Sequence, residues 1–507
     1  MINQKGGVVK RNPGKPPQDI LHDTLESGGV VLNVISDSSL KCFVIEIIIN
    51  DRNACEYIDT NASGSFRNPV ERLVMKILIT DDDPDATFTN EYIDIDGVRR
   101  SKEPETPVNV IEEAKVQQEA WIKTVVNGRV PVCPSVADLI FFANQDGKNF
   151  ITYLQTKFAP GNALMGNICA YILDRLQMPY RGICVMVMPE VSAPAQVLAA
   201  PAAVAAGPAV AAGPQASITL YGFLNLPDGS IFQGLTVDQA QKNRAYSLII
   251  ACAMRLYWAG IVHIDLHMRN FLLYVDQNGI LQGKIIDLGN AIIFTNGPNK
   301  FIPDPADIAT LNAGLETYKS AIIADTGNNT FNRKKDFVVG LLDMIKQFDT
   351  KGNIQVFPHV LRYSDPDDHN NCQMSWWPTI KDKEAADDAG TDHSFSEIID
   401  NAYNLARAGF MVDIDSRNPG VSNSTIQRYI GQGRIPSFND ITPIMVHWPW
   451  VAAIAANAQG APQGMAVGPG GGSRKKTSRK HKIRKNKTKR LALRKTKNKK
   501  RRRTSKK

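Results

Sequence analysis

The segment HIDLHMRNFLL, from His263 to Leu273, places two histidines, an aspartate and an asparagine ahead of an apolar run. His263, Asp265 and His267 alternate, a spacing that could suit a metal ion. Asp265 and Asn270, five residues apart, could instead supply a proton acceptor and an oxygen ligand. A zinc site needs three or four ligands, and no further Cys/His cluster in the sequence supports one. The sequence therefore favours the second interpretation.

A further acidic residue follows downstream. Asp287 ends the apolar run KIID and precedes Gly289. Two apolar runs flank Gln-Asn-Gly at 277–279, and Asn-Gly is a strong hairpin signal because it tolerates positive φ. Such a hairpin would bring Asn270 and Asp287 together. Because Mg²⁺ keeps several waters, one carboxylate and one amide oxygen are a sufficient protein contribution, and the sequence predicts a magnesium site at these two residues.

Two charged residues lie earlier, in the N-terminal part of the chain. Lys76 belongs to the β-branched-rich run RLVMKILIT, where an inward-facing ammonium could reach phosphates. Glu113 lies in a helical stretch and could hold that lysine in an ion pair, although Glu112 and Glu119 share the helix. The alternative for Lys76 is a solvated charge at the edge of a strand.

In order, the chain presents a glycine pair, a lysine on a strand, a glutamate on a helix, H-x-D-L-x-x-x-N, a hairpin and D-x-G. Phosphoryl transfer depends on positioning and charge neutralisation, and each part has a task in it. This order resembles the protein-kinase-like superfamily, and the H-x-D-L-H-x-x-N form also resembles aminoglycoside and choline phosphotransferases. More narrowly, EAKVQQ, PVCPSV, DLHMRNFLL and IIDLGNA together resemble serine/threonine kinases of large nucleocytoplasmic DNA viruses. The resemblance covers roughly residues 25 to 320.

The resemblance implies an enzyme that uses ATP and Mg²⁺ and transfers phosphate to a hydroxyl-bearing acceptor, first of all a protein Ser/Thr. It implies Asp265 as catalytic base, Asn270 and Asp287 as metal ligands, and His263 as a brace of the catalytic loop. Lys76 would contact the α/β-phosphates with Glu113 as its partner. Gly28 and Gly29 would cover ATP, and Met188 would lie in a hinge within 183–191 that binds adenine.

The chain also departs from the kinase pattern. Ile264 replaces the arginine that in many kinases receives an activation-loop phosphate, so we expect no dependence on loop phosphorylation. Leu288 replaces the phenylalanine of D-F-G, and no A-P-E follows. If a helix opens near Asp307, only about twenty residues separate it from Asp287, which leaves little platform for a peptide. A small-molecule phosphotransferase and a pseudokinase scaffold that binds nucleic acid therefore remain alternatives.

The expected fold is α+β and bilobal: a small lobe with an antiparallel sheet and one key helix, a mainly helical large lobe, and a disordered basic tail. The predicted boundaries are 1–20 for a disordered N-terminus, 21–191 for the small lobe with insertions, 192–217 for an Ala/Pro-rich linker after the hinge, 218–440 for the large lobe, 441–472 for a Gly/Pro/Ala-rich linker and 473–507 for the tail.

Charge and cysteine content suggest partners and compartment. The last 34 residues, 474–507, carry 21 of the 59 Lys+Arg and no acid, which leaves 38 basic against 50 acidic residues elsewhere. This tail could bind nucleic acid or another polyanion, or act as a nuclear address. Seven scattered cysteines, an odd number, favour a reducing intracellular compartment. The resemblance to viral kinases implies host cytoplasm, viral factory, nucleus or virion as the location. No apolar run is long enough to predict a membrane span.

Overall fold

A computed structural model describes most of the chain N-terminal to residue 416. The described residues are 5–10, 15–27, 29–36, 42–50, 55, 57–61, 67–81, 92–93, 99–100, 104–124, 131–191, 217–276, 278–295, 305–325, 329–356, 374–415 and 444–445. The chain divides into two compact units, Met1–Ile454 and Ala455–Lys507, and every described residue belongs to the first unit.

The described elements alternate between short strands and helices in the first part of the chain and are mainly helical in the second. The strands are β1 (Lys5–Lys10), β2 (Val30–Ser36), β3 (Cys42–Ile49), β4 (Tyr57–Asn61), β5 (Arg67–Pro69), β6 (Arg72–Thr80), β7 (Tyr92–Ile93), β8 (Arg99–Arg100), β9 (Asp138–Phe142), β10 (Gly182–Pro189), β11 (Ile218–Thr219), β12 (Ile231–Phe232), β13 (Leu235–Thr236), β14 (Ile261–Val262), β15 (Phe271–Val275), β16 (Leu281–Ile285), β17 (Ile292–Ile293) and β18 (Ile444–Met445).

The helices are α1 (Pro17–Glu26), α2 (Pro107–Thr124), α3 (Asn144–Phe158), α4 (Ala163–Arg175), α5 (Leu220–Leu224), α6 (Gln239–Trp258), α7 (Pro305–Ala324), α8 (Phe331–Val356), α9 (Trp377–Asp388) and α10 (Ser394–Asp415). Single 3-10 turns cover Met268–Asn270 and Leu288–Asn290. Among the described residues, no helix combines the length and the apolar character needed to cross a membrane.

The small lobe is built on a sheet with the strand order β2-β3-β6-β10-β9, and all neighbouring strands in it are antiparallel. β18 adds a short parallel strand beside β9, inside the segment 441–472 that the sequence predicted to be a linker. The β-branched-rich run RLVMKILIT correctly predicts the strand β6, because such side chains fit a buried pleated surface.

The two faces of this sheet carry different side chains because strand residues alternate in direction. On β6, Met75 and Ile77 pack into an apolar core with residues of α1, α3 and α4, such as Phe150 of α3. Lys76 and Leu78 point to the opposite face, where Leu78 joins a smaller cluster with residues of α2. One face of the sheet therefore packs into the core of the small lobe, and the opposite face carries Lys76.

The beginning of the chain differs from the prediction of a disordered stretch at 1–20. β1 pairs with β4, and α1 begins at Pro17, where the fixed φ of proline suits the first helical turn. Ile20, Leu21 and Leu25 of α1 are fully buried against the outer face of the small-lobe sheet. Burial of these three apolar side chains stabilises a ten-residue helix, which would have marginal stability in isolation.

The helical hairpin α3–α4 is inserted between β9 and β10. Its second helix, α4, begins at Ala163, where the Asn162 side chain accepts from the Met165 N–H at 3.0 Å. With α1, the hairpin covers the outer face of the sheet, so the small lobe has more helix than the one helix that carries Glu113.

The large lobe surrounds α6. Its N-terminus is capped by Asp238, whose side chain accepts from the Gln241 N–H at 2.8 Å. Ala245 to Met254 are buried without interruption, so α6 is covered on all sides, and α7 and α10 pack against it.

Strands β15 and β16 form the hairpin that the Gln-Asn-Gly signal predicted, and this hairpin packs on α6. Gly279 supplies a φ of 75° in its turn. The small lobe contains a five-stranded antiparallel sheet and the large lobe is mainly helical. The fold is therefore the predicted one: α+β, bilobal and kinase-like. The predicted linker at 192–217 and the tail at 473–507 fall almost wholly outside the described residues.

Candidate functional site

The site begins with Lys76 in the middle of β6. Its neighbours in register are Val44 on β3 and Met186 on β10, so the lysine lies at the centre of the sheet and not at an edge. Its side chain is only 10% exposed. A buried ammonium is costly unless it is paired, so the solvated alternative for Lys76 does not apply.

Two carboxylates provide that pairing. The Lys76 Nζ lies 2.5 Å from Glu113 Oε1 on α2 and 3.1 Å from Asp287 Oδ1, residues 37 and 211 positions away in the sequence. Burial alone would lower the pKa of Lys76, but the charges of Asp287 and Glu113 outweigh it and raise the pKa well above its usual value. The ammonium in turn lowers the pKa of Asp287. Lys76 and Asp287 are therefore both ionised at neutral pH.

Glu113 is held in place by the helix that carries it. One turn further along α2, Gln117 Nε2 donates to the Pro134 carbonyl at 3.1 Å and to Met188 Sδ at 3.0 Å. The next residue, Gln118, accepts from the Val136 N–H at 2.8 Å. These buried amides attach α2 to the chain that leads into β9 and to β10, which fixes the distance from Glu113 to Lys76.

The catalytic-loop candidate runs from His263 to Asn270 and is fixed from within. The Asp265 N–H donates to His263 Nδ1 at 3.2 Å, so the neutral ring carries its proton on Nε2, which donates to the Ile286 carbonyl at 3.0 Å. Burial lowers the pKa of His263 and favours this neutral form. Asn270 Nδ2 donates to the Asp265 carbonyl at 3.0 Å. The His263 ring thus bonds both to the Asp265 N–H and to the Ile286 carbonyl, and its bracing role stays a prediction.

The Asp265 carboxylate itself is partly exposed, at 24%. Asn290 Nδ2 lies 3.4 Å from its Oδ2, and His267 Nε2 lies 4.0 Å from its Oδ1. The Arg269 N–H donates to His267 Nδ1 at 3.1 Å, which directs the other ring nitrogen towards the carboxylate. An aspartate that is oriented but still reached by solvent can accept a proton from a bound hydroxyl.

The hairpin β15–β16 brings the ends of the two motifs together. Asn270 directly precedes β15 and Asp287 follows β16 by two residues. The Ile286 N–H donates to the Asn270 carbonyl at 3.0 Å. Because Asp287 directly follows Ile286, this bond holds the two candidate metal ligands close together. The sequence-based expectation that these residues meet is thus met by the geometry.

Asp287 adopts a left-handed conformation with φ 59° and ψ 64°. Aspartate tolerates this region better than most residues, and such outliers often mark functional sites. Leu288 is fully buried in the large-lobe core, whereas the Asp287 side chain remains 47% exposed. A Cβ on Gly289 would lie 3.3 Å from Glu113 Oε2, so the small residue lets the D-x-G turn approach α2.

Gly29, the described member of the predicted glycine pair, is not brought to this site. Gly29 precedes β2 and lies beside Asn50, whose side chain donates to the Gly29 carbonyl. Asn50 is six residues beyond Val44, the register partner of Lys76, which at about 3.3 Å per residue is roughly 20 Å along the strand. The assignment of Gly29 to ATP binding therefore needs correction. Gly28 and the 37–41 connection from β2 to β3 lie outside the described residues.

Met188 lies on the same face of β10 as Met186, in register with Val74, two residues from Lys76 on β6. It is half-buried and contacts Gln117. The structure thus places Met188 beside the Lys76–Glu113 pair, at the end of the small-lobe sheet that leads into the large lobe.

The donor set fits magnesium better than a softer metal. Asn270 Nδ2 is used by the Asp265 carbonyl, which leaves the amide oxygen Oδ1 as the ligand atom, and the exposed Asp287 carboxylate can offer an oxygen while Lys76 contacts Oδ1. Mg²⁺ takes such hard oxygen ligands. Within the described residues, no group of three or more His, Cys, Asp or Glu side chains is arranged to hold a metal.

Two contacts to the catalytic loop were missed by sequence reasoning. Trp376 Nε1 donates to the Leu266 carbonyl at 2.8 Å, and the Met268 N–H lies 3.4 Å from Ser375 Oγ. These residues come more than one hundred positions after the loop, and the motif contains no signal for them. Gln117 belongs to the EAKVQQ motif, but the motif does not predict its contacts to Pro134 and Met188.

Comparisons with known proteins add little. No family model matches the chain, and no curated protein matches it in sequence. Among solved structures, 79 chains match. One, described as WaaP in complex with acyl carrier protein, is 10% identical over 68% of this chain and 99% of that chain, with a TM-score of 0.28. A likeness at that TM-score carries no weight for function, which has to be inferred from the geometry of the site.

Proposed function

We propose that the chain is an ATP- and Mg²⁺-dependent phosphotransferase. The observation that carries the proposal is the meeting of Lys76, Glu113 and Asp287, at 2.5 and 3.1 Å, beside the loop that presents Asp265 and Asn270. These residues come from both lobes and are distant in sequence. A buried, paired lysine next to a carboxylate and an amide oxygen suits a triphosphate and its metal ion.

Each side chain has a role in this proposal. Lys76, kept ionised by its partners, binds the α/β-phosphates, and Glu113 orients it. Asn270 and Asp287 would hold Mg²⁺, which when bound neutralises phosphate charge. Asp265 accepts the proton of the acceptor hydroxyl as that oxygen attacks the γ-phosphorus and the bond to the leaving ADP oxygen breaks. Met188 lies where it could contact the base of the nucleotide.

The acceptor we propose is a protein Ser/Thr, as in the viral kinases that the motifs resemble, in an intracellular setting. One observation favours a second candidate, a small-molecule phosphotransferase: α7 begins at Pro305, only 18 residues after Asp287. So short a connection provides little surface to bind an extended peptide. The basic tail at 474–507 remains a proposed contact for nucleic acid or another polyanion.

The test is transfer of radiolabelled phosphate from ATP, with no added acceptor, with basic and acidic Ser/Thr protein substrates, and with a panel of hydroxyl-bearing metabolites. We expect label in at least one arm and its loss when EDTA removes Mg²⁺. Label on proteins supports the kinase, and label on metabolites alone supports the second candidate. No transfer in any arm would contradict the proposed function and would favour a pseudokinase.

A further inference from the structure

The catalytic-loop candidate contains a backbone conformation that needs external support. Ile264, between His263 and Asp265, has a φ of 67° although it is β-branched and buried. Such residues rarely adopt the left-handed region, and they persist there only where the surrounding structure holds them. The orientation of the Asp265 carboxylate therefore depends on what fixes the loop on both sides of Ile264.

One side is fixed by the contacts of His263, and the other is fixed from a distant part of the chain. Leu266 directly follows Asp265, and its carbonyl accepts from Trp376 Nε1 at 2.8 Å. The Trp376 side chain is fully buried. Ser375 adds a weaker contact, with its Oγ 3.4 Å from the Met268 N–H. These two residues bridge a sequence separation of 110 and 107 positions.

We propose that Ser375 and Trp376 form a positioning element for the proton-accepting Asp265, an inference that rests on the proposed function. A buried indole N–H that donates to a backbone carbonyl fixes the direction of that peptide plane, because the ring has no freedom to follow a displaced loop. The element acts through the Leu266 carbonyl and does not touch the reacting atoms. Loss of its donor leaves a buried carbonyl unsatisfied and lets the loop relax.

The neighbouring residue offers a matched control. Trp377 is also buried, and its Nε1 donates at 3.0 Å to Asp343 Oδ1 on α8, not to the catalytic loop. Trp376→Phe and Trp377→Phe therefore remove the same kind of donor from two adjacent rings with the same loss of volume. A role in stability alone predicts similar effects of the two substitutions, whereas a positioning role predicts different ones.

The experiment measures kcat, the KM for ATP and hydrogen exchange of the 265–270 amides in both variants of the full-length chain. For Trp376→Phe we expect kcat to fall about tenfold, with KM for ATP within about twofold, because a small displacement of the base acts on the chemical step. The 265–270 amides should exchange faster. For Trp377→Phe we expect kcat within about twofold of the wild type and unchanged exchange in the loop.

Equal kcat losses in the two variants, or unchanged exchange at 265–270 in Trp376→Phe, would overturn the positioning role. If Trp376→Phe does not fold, Ser375→Ala provides the same readouts, with a smaller loss of kcat expected and none if the inference is wrong. An inactive wild type would contradict the proposed function, and hydrogen exchange would still decide whether Trp376 fixes the loop.

Discussion

The two halves of the site are held by different forces. The half around Lys76 is ionic: the ammonium of this small-lobe residue contacts the carboxylates of Glu113 and of Asp287, which follows β16 in the large lobe. The half around Asp265 is held by neutral hydrogen bonds: the Asp265 N–H donates to the buried ring of His263, and the buried ring of Trp376 donates to the Leu266 carbonyl. A highly charged ligand requires ionised partners, whereas a base that accepts one proton requires a fixed direction.

The difference has a structural consequence. The ionic half spans the two lobes, because Lys76 belongs to β6 and Asp287 follows β16. The neutral half lies entirely within the large lobe. Changes in charge should therefore act on ligand binding and on the meeting of the lobes, whereas changes in the rings should act on the orientation of one carboxylate.

The largest expected effect comes from removing the shared cation. Lys76→Met should lower kcat/KM by about 10²- to 10³-fold, because an electrostatic contact to the transferring group is lost. Glu113→Gln should cost about tenfold, and the double variant should be no worse than Lys76→Met, since Glu113 acts through the lysine. Steady-state kinetics of the four proteins test this coupling. Strictly additive effects of the two single substitutions in the double variant would contradict the coupling. Lys319→Met, which breaks an exposed pair with Glu316, is the control and should behave as the wild type.

A smaller effect should appear in the pH dependence of stability. The pKa of His263 is lowered by burial, so the unfolded chain binds this proton more readily than the folded chain. The stability that the neutral His263 contributes to the folded state is fully present above the unfolded pKa of 6.5. It is lost as the pH falls towards the folded pKa.

Between pH 7 and 5, the free energy of unfolding should therefore fall less steeply with pH in His263→Gln than in the wild type. The two slopes should differ by at most about 1.4 kcal/mol per pH unit, the value for one proton. Denaturant unfolding at several pH values measures the slope. A wild-type slope in His263→Gln would contradict a buried, neutral His263 in the folded chain.

The smallest expected effect is at the contact between the halves. Gly289→Ala adds a Cβ 3.3 Å from Glu113 Oε2, a distance that a shift of a few tenths of an ångström can accommodate. We expect KM for ATP to rise about twofold to threefold with little change in kcat, because only the ionic half is disturbed. A fall in kcat with constant KM would instead place the strain on the Asp265 loop.

Much of this arrangement could be predicted from the sequence because the signals are local. The Asn-Gly turn and its flanking apolar runs identify β15–β16, which in turn brings Asn270 and Asp287 together. The alternation along β6 places Lys76 on the face opposite the apolar core. Helix α3 could have been found as well, since Gly147, Phe150, Ile151 and Leu154 are buried at helical spacing.

Other features could not be predicted because they depend on pairing between distant segments. A Gly-Gly pair next to a strand predicts a turn, but only the register of β2 with β3 shows that Gly29 lies at the end remote from Lys76. Trp376 resembles any core aromatic residue in the sequence. Its contact with Leu266 depends on how the chain returns to the large lobe, and no periodicity encodes that return.

The most direct test of the central claim compares Asp265→Ala and Asp287→Ala with the wild type, by thermal stabilisation with Mg·ATP and by phosphate transfer on the same preparations. We predict that Asp287→Ala loses the Mg²⁺-dependent stabilisation and all transfer. Asp265→Ala should keep the stabilisation while its turnover falls by about 10²-fold or more. Mg·ATP stabilisation that survives in Asp287→Ala, or wild-type turnover in Asp265→Ala, would contradict the account.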